Sequence, residues 1–155
     1  MKKKIYLETT IFSFYYDERA ESSYRRKVTR DWWDHERRNY DFFTSYFTVK
    51  EINNPVYPNW RKVLALARRV KLLKLRQEID GIIEVYMKNK LMPADDTGDA
   101  AHLAIASYYE TDYLLTWNCK HLANANKFDH IRIVNMKLGL LTPEIVTPEQ
   151  LYEEK

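Results

Sequence analysis

Three carboxylates and one carboxamide stand where strands end or helices begin: Glu8, Glu51, Asp99 and Asn118. Ile5-Tyr6-Leu7-Glu8 reads as an apolar strand that ends on a carboxylate. Tyr113-Leu114-Leu115-Thr116-Trp117-Asn118 reads as a short buried strand that ends on a carboxamide. Gly98-Asp99-Ala100-Ala101-His102 opens a helix on a carboxylate, where the helix dipole favours the charged form. Oxygen donors gathered at one edge of a sheet suit a hard divalent cation, Mg²⁺ or Mn²⁺. The single cysteine, Cys119, excludes an internal disulfide and a cysteine-built zinc cage. The four histidines show no paired zinc spacing.

Other residue types nearby are suited to supporting such a site. Thr9 and Thr10 beside Glu8, and Thr116 beside Asn118, can hydrogen-bond a neighbouring carboxylate. His102, three residues past Asp99 and roughly on its helix face, reads as a supporting partner rather than a catalyst. Asp96 reads as a helix cap ahead of a further ligand, and Thr97 is a second candidate cap. Glu51 has an alternative role, because Thr48 and Glu51 have the spacing of a capping box. Asn118 can offer a carbonyl oxygen to a metal or orient a bound water.

These residues need a scaffold. Strands are expected over 4–8, 41–45, 70–75 and 113–117, with a last edge strand within 141–146. Helices are expected in a short run through Ile11, Phe12 and Phe14 with Thr9 or Thr10 as N-cap, then over 22–38, 48–52, 59–69, 77–91, from 98 to about 110, and over 124–138, with Gly139 as C′ residue. A tail begins at Pro148. Strand–helix alternation implies an α/β fold, a mainly parallel sheet with helices on both faces. Ligands in such sheets collect beyond the carboxyl ends of the strands.

The chain has 155 residues, 45% hydrophobic and 30% charged, which suits one domain, 1–155, with a real core. No apolar run approaches the roughly 20 residues of a membrane span. The basic start, Met1 to Lys4, is followed by no signal-peptide core, so a soluble cytoplasmic protein with no membrane partner is expected. The net charge of +3 is mild, but cations cluster within 25–38 and 61–76. Those clusters fit solvated helix faces or a phosphate-binding rim equally well.

Taken together and in order, the motifs resemble the PIN-domain family, of the kind found as toxins in bacterial VapBC-type toxin–antitoxin pairs. Glu8-Thr9-Thr10 resembles that family's acidic residue and Thr/Ser after the first strand. Val49-Lys50-Glu51-Ile52 resembles its early helical Glu. Asp99 to Ala106 resembles its D-A-x-H-L-A-x-A helix, and Thr116-Trp117-Asn118 its T-x-D or T-x-N element. Cys119-Lys120-His121-Leu122 continues the likeness. The resemblance implies a three-layer α/β/α fold with a central sheet of four or five strands. It implies a metal-dependent ribonuclease, with catalytic residues Glu8, Glu51, Asp99 and Asn118. Glu8, Glu51 and Asp99 would hold Mg²⁺ or Mn²⁺, directly or through water, supported by Thr9, Asp96, His102 and Thr116. RNA as substrate, a protein antitoxin and a homodimer are its expected partners.

Two positions depart from the family pattern. Glu8 stands where Asp is usual, which moves the carboxylate by about 1.5 Å. Asn118 stands where many relatives have Asp, which removes a charge and favours one tight metal site over two. The alternative expectation is a degenerate module that binds RNA or a protein without cutting.

Overall fold

The computed structural model describes residues 1–152; the last three residues of the expected 1–155 domain lie outside the described residues. The elements run β1 (Lys3–Leu7), α1 (Thr9–Tyr15), a 3₁₀ turn (Ala20–Ser22), α2 (Ser23–Glu36), β2 (Tyr40–Ser45), α3 (Tyr46–Ile52), α4 (Trp60–Arg68) and β3 (Lys71–Leu73). They continue with α5 (Gln77–Lys88), α6 (Thr97–Tyr108), β4 (Tyr113–Leu115), α7 (Ala125–Lys137), β5 (Glu144–Val146) and α8 (Pro148–Leu151). All strand pairs are parallel, in the order β3-β2-β1-β4-β5.

That order explains where the functional residues meet. The chain builds β1, β2 and β3 toward one edge, then returns to place β4 on the other side of β1. The strand order therefore reverses between β1 and β4, which is where open α/β sheets form a crevice. Glu8 follows β1 and Thr116 follows β4, so both stand at its mouth. The Glu8 N–H donates to the Leu115 carbonyl at 3.0 Å, which ties the two strand ends together.

The sheet separates two apolar layers. Ile11, Phe12, Trp32, Trp33, Leu64 and Ala67, from α1, α2 and α4, cover one face. Ile79, Tyr86, Leu103, Ile105, Ile131 and Val134, from α5, α6 and α7, cover the other. Every residue from Asp99 to Ser107 in α6 is buried. Ala100, Ala101, Ala104 and Ala106 leave little between that helix and its neighbours, which fixes Asp99 close to the strand ends.

Several local expectations are corrected. Helix α3 starts at Tyr46 and is capped by Ser45, whose Oγ accepts from the Thr48 N–H at 3.4 Å. Thr48 is buried and bonded to Thr44 at 2.9 Å, so the expected Thr48–Glu51 capping box does not form and Glu51 is released for another role. Asp96, not Thr97, caps α6. The segment from Pro148, expected as a tail, forms a helical turn instead, with Pro at its start and a Thr147–Gln150 capping box. Strands β3, β4 and β5 are three residues each, shorter than the hydrophobic runs that contain them. Helix α7 ends as expected: Gly139 has φ +72. The N–H of Leu140 bonds the Asn135 carbonyl and that of Gly139 bonds the Met136 carbonyl, as in a Schellman motif. Among the described residues no helix is long and apolar enough to cross a membrane.

Candidate metal centre

Glu8 is 4% exposed and held by one oxygen. Its Oε1 accepts from the Thr10 N–H at 3.0 Å, from the Thr10 hydroxyl, and from the Thr116 hydroxyl at 2.9 Å. These bonds make Glu8 the N-cap of α1. Its other oxygen, Oε2, has no hydrogen-bond donor among the described residues.

Glu51 is held in the same manner. Its Oε1 accepts from the Thr9 hydroxyl at 2.6 Å and from His102 Nε2 at 2.6 Å, and Oε2 takes no donor among the described residues. Burial works to raise this carboxyl's pKa, but the bonds from His102 and Thr9 prevail and hold it below its ordinary value. A Cβ added at Gly98 would come within 3.3 Å of Glu51 Oε2. The absence of a side chain at Gly98 thus preserves space at that oxygen. Gly98→Ala is expected to weaken divalent-metal binding severalfold while leaving thermal stability unchanged or slightly raised, because Ala is the better helix former by about 1 kcal/mol. Calorimetric titration with Mn²⁺ beside a thermal melt checks both.

His102 is buried within a chain of hydroxyls. Its Nδ1 lies 2.8 Å from the Tyr6 hydroxyl, which lies 2.8 Å from Ser45 Oγ. Burial opposes a charge on the ring, but the Tyr6 oxygen, Glu51 and Glu8 outweigh it and hold its pKa well above the usual histidine value. A protonated His102 donates from both nitrogens, to Tyr6 and to Glu51.

Asp99 is 8% exposed, in the first turn of α6. Its N–H donates to Asp96 Oδ1 at 3.2 Å. Its Oδ2 accepts from Asn118 Nδ2 at 2.6 Å and lies 3.3 Å from His121 Nδ1. Burial, then the Asp96 and Glu8 charges, push its pKa up to about 8. Asp96, in contrast, is held low despite its burial, by hydrogen bonds from Asp99 and His121. A metal-free site therefore keeps a proton among its carboxylates near neutral pH, at a position where a cation would relieve the same repulsion.

Asn118 takes a role different from the expected one. Its carbonyl oxygen is occupied by the N–H groups of Lys120 at 3.1 Å and His121 at 3.0 Å, so its amide faces Asp99 as a donor. It positions Asp99 and offers no oxygen to a metal in this arrangement. The same turn swings His121 back toward the strand end. His121 Nδ1 lies 2.5 Å from Asp96 Oδ2, and ligand atoms of Asp96, Asp99 and His121 all lie within 4.8 Å of one another. Glu8 and Glu51 fall outside that group. They flank it, Glu8 acting on Asp99 and Asp96 acting on Glu51 through their charges.

His121 is the residue that sequence reasoning passed over as a ligand. The signal was Asn118: an Asn after a strand takes its own backbone N–H groups two and three residues on, which returns residue 121 to the edge. Around the site, Trp117 is core, with its indole N–H on Thr29 at 2.8 Å. Arg25 covers the Phe14 and Trp117 rings, with its guanidinium 5.3 and 5.5 Å from their centroids.

No family model matches the chain, and no curated protein matches it in sequence. Among solved structures, a chain in the crystal structure of VapBC2 from Rickettsia felis bound to a DNA fragment from its promoter superposes with a TM-score of 0.60. The likeness covers 93% of this chain and 98% of that one, at 12% identity. At that identity the likeness is one of fold, and it agrees with the five-stranded parallel sheet and its two helical layers: the fold is a PIN-like three-layer α/β/α.

Proposed function

We propose that this protein is a divalent-metal-dependent ribonuclease and the toxin of a type II toxin–antitoxin pair. One observation carries the reading. Glu8 and Glu51, brought from distant parts of the chain, are each pinned through one oxygen and keep the other free, beside an Asp99 whose charge burial and its neighbours oppose. The Glu51 side chain is 36% exposed, so an incoming cation can reach its free oxygen. The likeness of fold to a VapBC2 chain supports the toxin reading and an antitoxin partner. Homodimerisation stays with the resemblance in sequence.

The donor set fits a divalent cation at Asp99. Asp99 with Asp96 and His121 offers direct ligands, and Glu8 and Glu51 would act directly or through water, as cations that retain waters allow. A cation held there supplies charge neutralisation at a phosphate and a water of lowered pKa. The protein's own groups do the positioning. Thr10 and Thr116 fix Glu8; Thr9 and His102 fix Glu51; Asn118 fixes Asp99. Cleavage of a labelled single-stranded RNA with Mn²⁺ or Mg²⁺, halted by chelation and compared with matched DNA, tests the reading. Failure to cut RNA under any metal would leave the alternative, a binding module.

An imidazole donor shifts preference toward transition metals, since Mg²⁺ favours oxygen. His121→Ala is therefore expected to weaken Mn²⁺ binding by roughly 10- to 100-fold and Mg²⁺ binding much less. Paired calorimetric titrations check this, and equal losses for both metals would place His121 outside the ligand set.

A further inference from the structure

The amino ends of β1, β2 and β3, at the opposite end of the sheet from the carboxylates, frame a cleft of about 260 Å³. Lys2 leads into β1, Asp41 and Phe42 lie in β2, and Lys71 opens β3. Arg37 closes α2 and Arg69 closes α4. Among the described residues none of these five charged groups takes part in an ion pair. Four cations against the single carboxylate leave a local charge of +3, as large as the net charge of the whole chain.

Cations at helix ends have an ordinary structural role, which is to meet the helix dipole. Here the role is too small. Two helix C-termini bring about one negative charge in all, so a surplus of about +2 remains. Arginines on α2 nearer the acidic edge are already used within the fold: Arg26 donates to the Asp17 carbonyl at 2.6 Å and Arg30 to the Tyr15 carbonyl at 2.7 Å. The cleft lies below the roughly 300 Å³ at which organic-ligand pockets begin, so it suits compact anionic groups.

We infer that this cleft grips the backbone phosphates of an RNA chain whose cleaved bond lies at the opposite, acidic edge. The choice of RNA rests on the reading given above as proposed function. A ring of carboxylates repels a polyanion, so affinity for the substrate must come from cations elsewhere. The five residues of β1 span about 16 Å, and helices cover both faces of the sheet, so a strand that reaches both ends passes over a helical layer and needs more than the roughly five stacked nucleotides of that span.

The experiment measures anisotropy of a labelled single-stranded RNA of about twelve nucleotides in EDTA, between about 50 and 200 mM salt. Arg37→Gln with Arg69→Gln is expected to weaken binding about tenfold and to reduce the salt slope by about 1.4, the value for two lost contacts on a single strand. Lys2→Gln with Lys71→Gln, a pair of exposed side chains, gives the same result by a second route. Lys90→Gln with Lys137→Gln, on helices of the other face or just beyond them, changes net charge equally and is expected to bind as wild type does. Wild-type affinity and slope in both cleft variants, equal losses in all three, or no RNA binding by the wild type overturns the inference. The wild type with Mn²⁺ is read in parallel. Binding through the cleft without cleavage retains the cleft and rejects the nuclease; cleavage with unaltered cleft variants does the reverse.

Discussion

Asp99→Asn is expected to lower RNA cleavage by at least about a thousandfold, a loss of about 4 kcal/mol of transition-state stabilisation. The same change is expected to stabilise the metal-free fold at neutral pH. Both effects follow from one cause. Asp99 is buried beside Asp96 and Glu8, and its pKa is pushed up to about 8. The unfolded chain releases this proton near the ordinary value of 3.8, whereas the fold retains it until about 8. Between those values the folded state binds more protons, so stability falls as pH rises through that window. An Asn cannot ionise and removes that slope, while its carbonyl still accepts from Asn118. For the wild type, cation binding must displace the retained proton, so Mn²⁺ affinity is expected to climb with pH and level off above about 8. Thermal melts in EDTA and Mn²⁺ titrations across pH check both parts. A variant that cuts at the wild-type rate would remove Asp99 from the chemistry.

His102→Ala carries the second large effect, and here stability falls. His102 is 1% exposed and bonds Tyr6 and Glu51, while Phe47 packs against its ring edge at 5.0 Å. Breaking a buried ion pair costs about 3–5 kcal/mol. The Glu51 side chain is 36% exposed, which screens part of that, so a loss of about 3 kcal/mol is expected. Loss of this partner also frees Glu51 to swing, which should weaken metal binding about 10- to 100-fold. His102→Gln retains a hydrogen bond to Glu51 and should recover part of the metal affinity. The sign of the pH dependence is fixed by the raised pKa of His102. The stabilisation from the charged ring is complete below the ordinary value of 6.5 and is lost as pH rises through the higher folded value. The stability gap between wild type and His102→Ala is therefore expected to narrow in alkali. A gap that widens with pH would mean that His102 is neutral in the fold.

Much of this architecture was legible from short-range signals. The strands ending at Glu8 and beyond Leu115 read clearly because each is a continuous apolar run, as strands covered on both faces must be. The helix that opens at Asp99 read clearly because an acidic residue leads an alanine-rich run, but a carboxylate in a first helical turn is also an ordinary response to the helix dipole, so its use there was not legible from that residue alone. Local rules failed where a residue had two competing uses. Thr48 and Glu51 have capping-box spacing, but the fold buries Thr48 against Thr44 and Tyr6 and gives Glu51 to His102. Asn118 read as a carbonyl ligand to a metal or as the holder of a bound water, but its carbonyl is taken by the turn it starts. That same turn delivers His121, whose position depends on backbone geometry that spacing alone does not encode. The cleft between Lys2, Arg37 and Lys71 depends on parallel strand order, which no window along the chain contains.

The most direct test of the account is Mn²⁺ titration of RNA cleavage by the chelator-treated wild-type protein. The expected result is no cleavage in EDTA, cleavage that grows and saturates as Mn²⁺ is restored, and little cleavage of matched DNA. RNA that binds equally with and without Mn²⁺ and stays intact at saturating metal would contradict it.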